Sequence, residues 1–171
     1  MESNMTPHEL LTQIKNEPNV LGLLVDTLNL YKNQNGFEQD LLTPGFVKEW
    51  LISDILGHDC HKTKHGADAY SKDGKEKYEY LSCKEGGSFQ LDRIHKGNLH
   101  RIERNDSFFF AQFDKDNGLK CKRIWKGNTD VVLEESIKKI ESMSDSSKHI
   151  GFTSKWVNEN CELVFENLKP E

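Results

Sequence analysis

Residues 66–84 read GADAYSKDGKEKYEYLSCK, and the fold turns on how this stretch divides. Asp68 sits between Ala67 and Ala69 in a short apolar element that runs to Tyr70. A polar turn from Ser71 to Lys77, centred on Asp73-Gly74, separates it from Tyr78 to Lys84, which reads as a strand. An Asp-Gly pair between two strand-like runs predicts a β-hairpin, because those residues accept the positive φ angles of a tight turn. The hairpin is expected to bring Asp68 and Lys84 together although sixteen residues separate them. A carboxylate able to hold a divalent ion, beside a lysine able to orient or deprotonate water, is what metal-assisted phosphodiester hydrolysis needs.

Just after Lys84 comes EGGSFQLDRIHKGNLHRIER, carrying Gln90, Arg93, His95, Lys96, Asn98, His100, Arg101 and Arg104. Arg, Gln, Asn and His hydrogen-bond base edges, and Arg and Lys also hold phosphates. Gly86-Gly87 and Gly97 let the backbone approach a ligand closely. The segment is therefore expected to contact DNA, a solvated loop with a short helix being the bland alternative. Beyond it, Phe108 to Phe113 is nearly all apolar and predicts a central strand. Leu119 to Trp125 predicts the next strand, with Leu119, Cys121, Arg123 and Trp125 on one face. Asp130 to Glu141 predicts a structural helix with Glu134–Lys138 and Glu135–Lys139 pairs in the favourable orientation. A Ser/Asp loop and a strand pair, His149 to Trp156 and Glu162 to Phe165, complete the order.

Upstream, residues 6–33 have helical apolar spacing (Leu10, Leu11, Ile14, then Leu21 to Leu30), divided by Pro18. Packing on the chain's own core and a dimer contact are both readings of that face. Thr43-Pro44 predicts a helix start and Gly57 its end, with FVKEWLISDIL apolar over most of its circumference. Glu49 on that helix is either its one exposed stripe or a carboxylate held by a partner or metal, since burying it bare is costly. His58, Cys60, His61 and His65 could bind zinc, but their spacing fits no familiar finger, and a polar loop near a DNA backbone is the preferred reading.

The 171 residues predict a single domain, 1–171, with a helical region over 1–40 and a catalytic core over 41–171. No apolar run reaches the roughly 18 residues that span a bilayer, and the N-terminus lacks the pattern of a signal peptide. The four widely spaced cysteines read as reduced thiols, which points to the cytoplasm. A net charge of −5 disfavours indiscriminate nucleic-acid binding but leaves a local basic groove open.

The 66–84 segment resembles the active-site hairpin of the PD-(D/E)xK nucleases, especially the small type II restriction endonucleases. There an Asp opens the motif and an acid-x-Lys triplet closes it on the second strand. Asp68 matches the first acid and Lys84 the lysine, with Ser82-Cys83-Lys84 in place of acid-x-Lys. By element order the resemblance covers residues 40–165; its sequence-specific part is Asp68 and Lys84. It implies an α/β fold with a mixed central sheet flanked by helices, Mg2+ as cofactor, double-stranded DNA as substrate, a homodimer on a palindromic site and a cognate DNA methyltransferase. In that reading Asp68, Glu49 and the carbonyl of Cys83 hold the metal, Lys84 positions the attacking water, and Ser82 stands where an acid is usual. Asp92 and Glu79 are the reserve ligands, Glu79 lying on the strand face opposite Lys84. The alternatives are a repair or junction nuclease with the same site, and a DNA-binding module whose site has decayed. A nuclease of the HNH type built on His95, Asn98 and His100 is disfavoured by their close spacing.

Overall fold

The computed structural model describes residues 20–38, 43, 45–63, 66–142 and 149–167. The Pro18 division, Pro44, His65 and the Ser/Asp loop at 143–148 lie outside those residues. In chain order the elements are the helices α1 (Val20–Asn35) and α2 (Phe46–Leu56), the strands β1 (Asp59–Cys60), β2 (Ala69–Tyr70), β3 (Lys77–Lys84) and β4 (Ser88–Asp92), a 3-10 turn (Lys96–Asn98), the short helix α3 (His100–Glu103), β5 (Ser107–Phe113), β6 (Cys121–Asn128), α4 (Thr129–Ser142), β7 (His149–Thr153), α5 (Ser154–Asn160) and β8 (Glu162–Glu166).

The central sheet has six strands in the order β1-β2-β3-β5-β6-β8, and β4 and β7 form a separate two-stranded ribbon. The expected α/β class with a mixed central sheet is the observed one. All seven residues of β5 are buried, as a strand covered on both faces requires. On one face Leu81 and Cys83 of β3 pack with Phe89, Phe108, Phe110, Trp125, Phe152 and Val132 of α4. On the other, Tyr78 and Tyr80 pack with Phe109, Ile124 and Ile52 of α2. Each fully buried phenylalanine contributes about 1.5–3 kcal/mol, and four of them, Phe89, Phe108, Phe110 and Phe152, lie in the first cluster.

β3 and β5 run parallel, from Tyr78 opposite Ser107 to Lys84 opposite Phe113. Parallel neighbours cannot be joined by a tight turn; they need a crossover over one face. Residues 85–106 are that crossover, and they contain β4 and α3. The segment expected to be a basic loop is thus tied down as a strand, a 3-10 turn and a helix turn.

Three local expectations change. α2 buries Phe46, Ile52 and Ser53 but leaves Ile55 36% exposed, so it covers the sheet with one face only. In β6, Gln112 opposes Arg123 but Phe113 opposes Cys121, leaving Lys122 as an extra residue. That bulge breaks the expected alternation, and Cys121 and Trp125 enter opposite cores. The anticipated pairing of 149–156 with 162–165 does not form. β7 ends at Thr153, whose hydroxyl accepts the Trp156 N–H at 3.2 Å and starts α5, while β8 joins β6. Gly57 does end α2, in the left-handed conformation at φ 69°. The Glu134–Lys138 and Glu135–Lys139 pairs form at 2.8 and 3.1 Å. Among the described residues no helix is long and apolar enough to cross a membrane.

Candidate active site

The predicted hairpin is present. β2 and β3 are antiparallel, with Ala69 opposite Tyr78 and Tyr70 opposite Lys77. The Ser71 N–H donates to the Glu76 carbonyl at 3.0 Å to close the turn, and the Ser71 hydroxyl accepts the Lys75 and Glu76 amides. One step beyond Ala69, the same register sets Asp68 opposite Glu79 rather than Lys84. Lys84 lies five residues further along β3, roughly 16 Å away at the usual strand rise. The structure therefore does not bring Asp68 and Lys84 together. The Lys84 side chain is exposed at the far end of the strand, beside Gly118 in the turn before β6.

β2 has only two residues, so past Tyr78 the outer edge of β3 lacks a strand partner among the described residues. Asp68 serves in its place. Its N–H donates to the Tyr78 carbonyl at 3.0 Å, and its carboxylate accepts the Tyr80 N–H at 2.7 Å. The N–H and C=O of one strand residue face the same neighbour, so the Tyr80 carbonyl also faces this open edge. By the same alternation the Cys83 carbonyl faces β5 and is not available to Asp68. Ser82 sits near that far end, opposite Ala111, and does not line the cleft.

Three carboxylates converge at the open edge. Glu49 comes from α2, Asp68 from the start of the hairpin, and Glu79 from β3; together with Gln90, Arg101 and Arg104 they line a cleft of about 180 Å³. Burial, reinforced by the Asp68 charge, pushes Glu49 up to about 7. Burial pushes Asp68 up to about 6, against the pull of the Tyr80 N–H and the Arg104 charge. Burial and the Asp68 charge push Glu79 up to about 8, with Arg104 opposing. The expected Glu49 side chain is thus in the site. Glu79, held only in reserve, is a full member, and Asp92 lines the mouth.

The crossover delivers the cations. Arg104 Nη2 donates to the Gly66 carbonyl at 3.2 Å, fastening α3 to the start of the hairpin. Arg101 Nη1 reaches the Asp92 and Arg93 carbonyls at 3.4 Å. Asn105 Nδ2 donates to the Arg101 carbonyl at 3.1 Å and approaches Glu79 Oε2 at 3.5 Å. Asn105 Oδ1 is buried with no partner among the described residues, a spare oxygen acceptor near Glu79.

Of the residues expected to touch DNA, Gln90, Arg101 and Arg104 line the cleft, while Arg93, His95, Lys96 and His100 lie exposed on the surface beside it. Asn98 has a different task. Its Nδ2 donates to the Arg93 carbonyl at 2.7 Å and its Oδ1 accepts the His95 N–H at 2.8 Å, so both ends of the amide brace the loop. That bracing holds Arg93 at φ 58°, the left-handed region a non-glycine residue seldom adopts. The histidine patch is likewise occupied internally: His58 Nδ1 bonds the Tyr80 hydroxyl at 2.7 Å and His61 Nε2 bonds Thr63 at 3.0 Å.

The oxygen-rich donor set suits a hard divalent ion. Among the described residues no three Asp, Glu, His or Cys side chains stand ready at metal-binding spacing. The arrangement fits an ion that keeps several waters and takes one or two carboxylates, the usual habit of Mg2+. The register about the Asp73-Gly74 turn was the signal for Glu79, because counting outward from Tyr70 and Lys77 reaches Asp68 and Glu79 in two steps. The chain matches no protein-family model and no curated protein sequence.

Proposed function

We propose that this protein is a Mg2+-dependent endonuclease acting on double-stranded DNA. The observation that carries the reading is the convergence of Glu49, Asp68 and Glu79 with Arg101 and Arg104 at a strand edge that lacks a strand partner among the described residues. Asp68, Glu79 and the Tyr80 carbonyl would hold the ion, and Glu49 would accept hydrogen bonds from its water shell. The ion, when bound, supplies charge stabilisation to the phosphate and lowers the pKa of water. Arg101 and Arg104 draw the phosphodiester into an otherwise acidic cleft. Counted from Glu79, the triplet is Glu79-Tyr80-Leu81, so leucine stands where the resemblance would place a lysine. Gln90, from β4 of the separate ribbon, is a neutral polar side chain lining the cleft.

Within this class the resemblance of the 66–84 hairpin favours a restriction enzyme, working as a homodimer on a palindrome and paired with a methyltransferase. Incubation with a long DNA and Mg2+ should give discrete fragments, and EDTA should stop cleavage. A smear would favour a repair-type nuclease, and undiminished cutting in EDTA would end the metal-dependent reading. Leu81 supports a second reading, a DNA-binding module without catalysis, for which duplex binding would persist without metal and no strand would be cut.

A further inference from the structure

Glycine weakens the interior of a strand, and its presence there marks a bulge or a close approach by something else. Gly151 lies in the middle of β7, directly opposite Gln90 of β4. No bulge interrupts that ribbon, whose register is continuous from Ser88–Thr153 to Asp92–His149. Its φ lies outside the left-handed region, and a Cβ added there would meet nothing nearer than Ser88 Oγ at 4.0 Å. Gly127 shows the contrast: a Cβ there would strike Phe110 at 2.9 Å, so packing explains that glycine. Among the described residues no contact requires a glycine at Gly151.

The surroundings of Gly151 say what approaches. The ribbon buries Phe89 and Leu91 on one strand and Ile150 and Phe152 on the other. Its outward face carries Ser88, Gln90, Asp92, His149 and Thr153, all exposed. Asp92 Oδ1 lies 2.7 Å from His149 Nδ1, and the strip is rich in hydrogen-bonding groups. Beyond it the 88–104 segment holds four basic residues against two acids in a chain whose net charge is −5. A two-stranded ribbon is one of the two elements that enter the major groove of B-form DNA, which is about 12 Å wide. Gln90 belongs to this face and also lines the acidic cleft, so one duplex can offer bases to the ribbon and a phosphate to the carboxylates.

We infer that the outward face of the β4–β7 ribbon is the base-reading surface for double-stranded DNA, with Gly151 the point of closest approach and Gln90 the principal reader of an adjacent base pair. The inference rests on the proposed nuclease reading and extends it to β7, which lies far from the hairpin in sequence. Glutamine bonds the N6 and N7 edge of adenine, so an A·T pair is expected opposite Gln90.

The test uses the full chain and a randomised library of B-form duplexes, with retained and cleaved molecules sequenced. The wild type should select duplexes sharing a short motif that contains an A·T pair. Gly151→Val should keep or raise the melting temperature, because valine suits a strand, yet lose roughly tenfold or more in duplex affinity, the order of one lost bidentate base contact. Gly151→Ala provides the milder variant and should fall between the two. Gln90→Ala should relax the A·T preference at one position and leave the others. A folded Gly151→Val or Gly151→Ala protein that selects the same motif with unchanged affinity overturns the ribbon assignment while the nuclease reading stands. A wild type that neither binds nor cuts any duplex overturns both. Equal retention of an A-form RNA duplex, whose major groove is too deep and narrow for a ribbon, also overturns the inference.

Discussion

The Asp68 carboxylate accepts the Tyr80 N–H and shares the cleft with Glu49 and Glu79, so one side chain both ends a strand edge and builds the site. Its role follows from the shortness of β2, which leaves that N–H to a side chain. Asp68→Asn and Glu79→Gln should each lower DNA cleavage at least about a hundredfold, the order for losing one group that stabilises the transition state. Lys84→Ala should cut DNA at nearly the wild-type rate, and a rate as low as that of Asp68→Asn would return Lys84 to the site. Glu79→Gln should also stabilise the metal-free protein at pH 8 by about 0.5–2 kcal/mol, the common exchange of function for stability. Denaturant melts in EDTA check that second effect. Asp68 and Glu49 were legible in the sequence because an isolated acid among apolar neighbours is conspicuous. Glu79 is harder to read, because strand parity sets it on the face opposite Lys84, the residue that the resemblance to the nuclease hairpin brings forward.

At the scale of elements, the parallel pairing of β3 and β5 does more for the site than any single residue. It forces residues 85–106 across one face of the sheet, and that crossing carries Gln90, Arg101 and Arg104 to the acids. The hairpin, the central strand, the helix over 129–142 and the overall class were legible from turn chemistry and apolar patterning. The sequence pattern extends the strand over 149–156 for a physical reason: Ile150, Phe152 and Trp156 continue a period of two, but Trp156 reaches the same core from a helix, its ring 4.9 Å from Phe152. The loop after β4 separates bracing from binding. Asn98→Ala removes two of the bonds that hold residues 93–98, so thermal stability should fall by about 0.5–2 kcal/mol while sequence preference is retained. Arg101→Ala should instead weaken binding to all duplexes and reduce the slope of log affinity against log salt by about 1. A change of base preference in Asn98→Ala would show that its amide reads DNA after all.

At the scale of the whole molecule, a chain of net charge −5 concentrates three carboxylates in one cleft. Glu49, Asp68 and Glu79 have folded-state values of about 7, 6 and 8, all raised above their ordinary carboxylate range. The sign of the linkage follows. Between about pH 4 and pH 8 the folded chain binds more protons at these groups than the unfolded chain. Their contribution to stability is complete below the unfolded values near pH 4 and is lost as pH climbs through the folded values. In EDTA the melting temperature should therefore fall from pH 5 to pH 8. Mg2+ should reverse the fall at pH 8, by about 2.7 kcal/mol at a hundredfold excess over its dissociation constant. At pH 5 the same concentration should do little, because protonated carboxylates do not bind the ion. Glu79→Gln should flatten the pH dependence, and Asp68→Asn should remove most of the response to Mg2+. Melts at the two pH values with EDTA or Mg2+ decide the matter. A melting temperature that rises from pH 5 to pH 8 in EDTA, with no response to Mg2+, would mean that folding does not disfavour the charged forms of the three acids and that the cleft holds no cation.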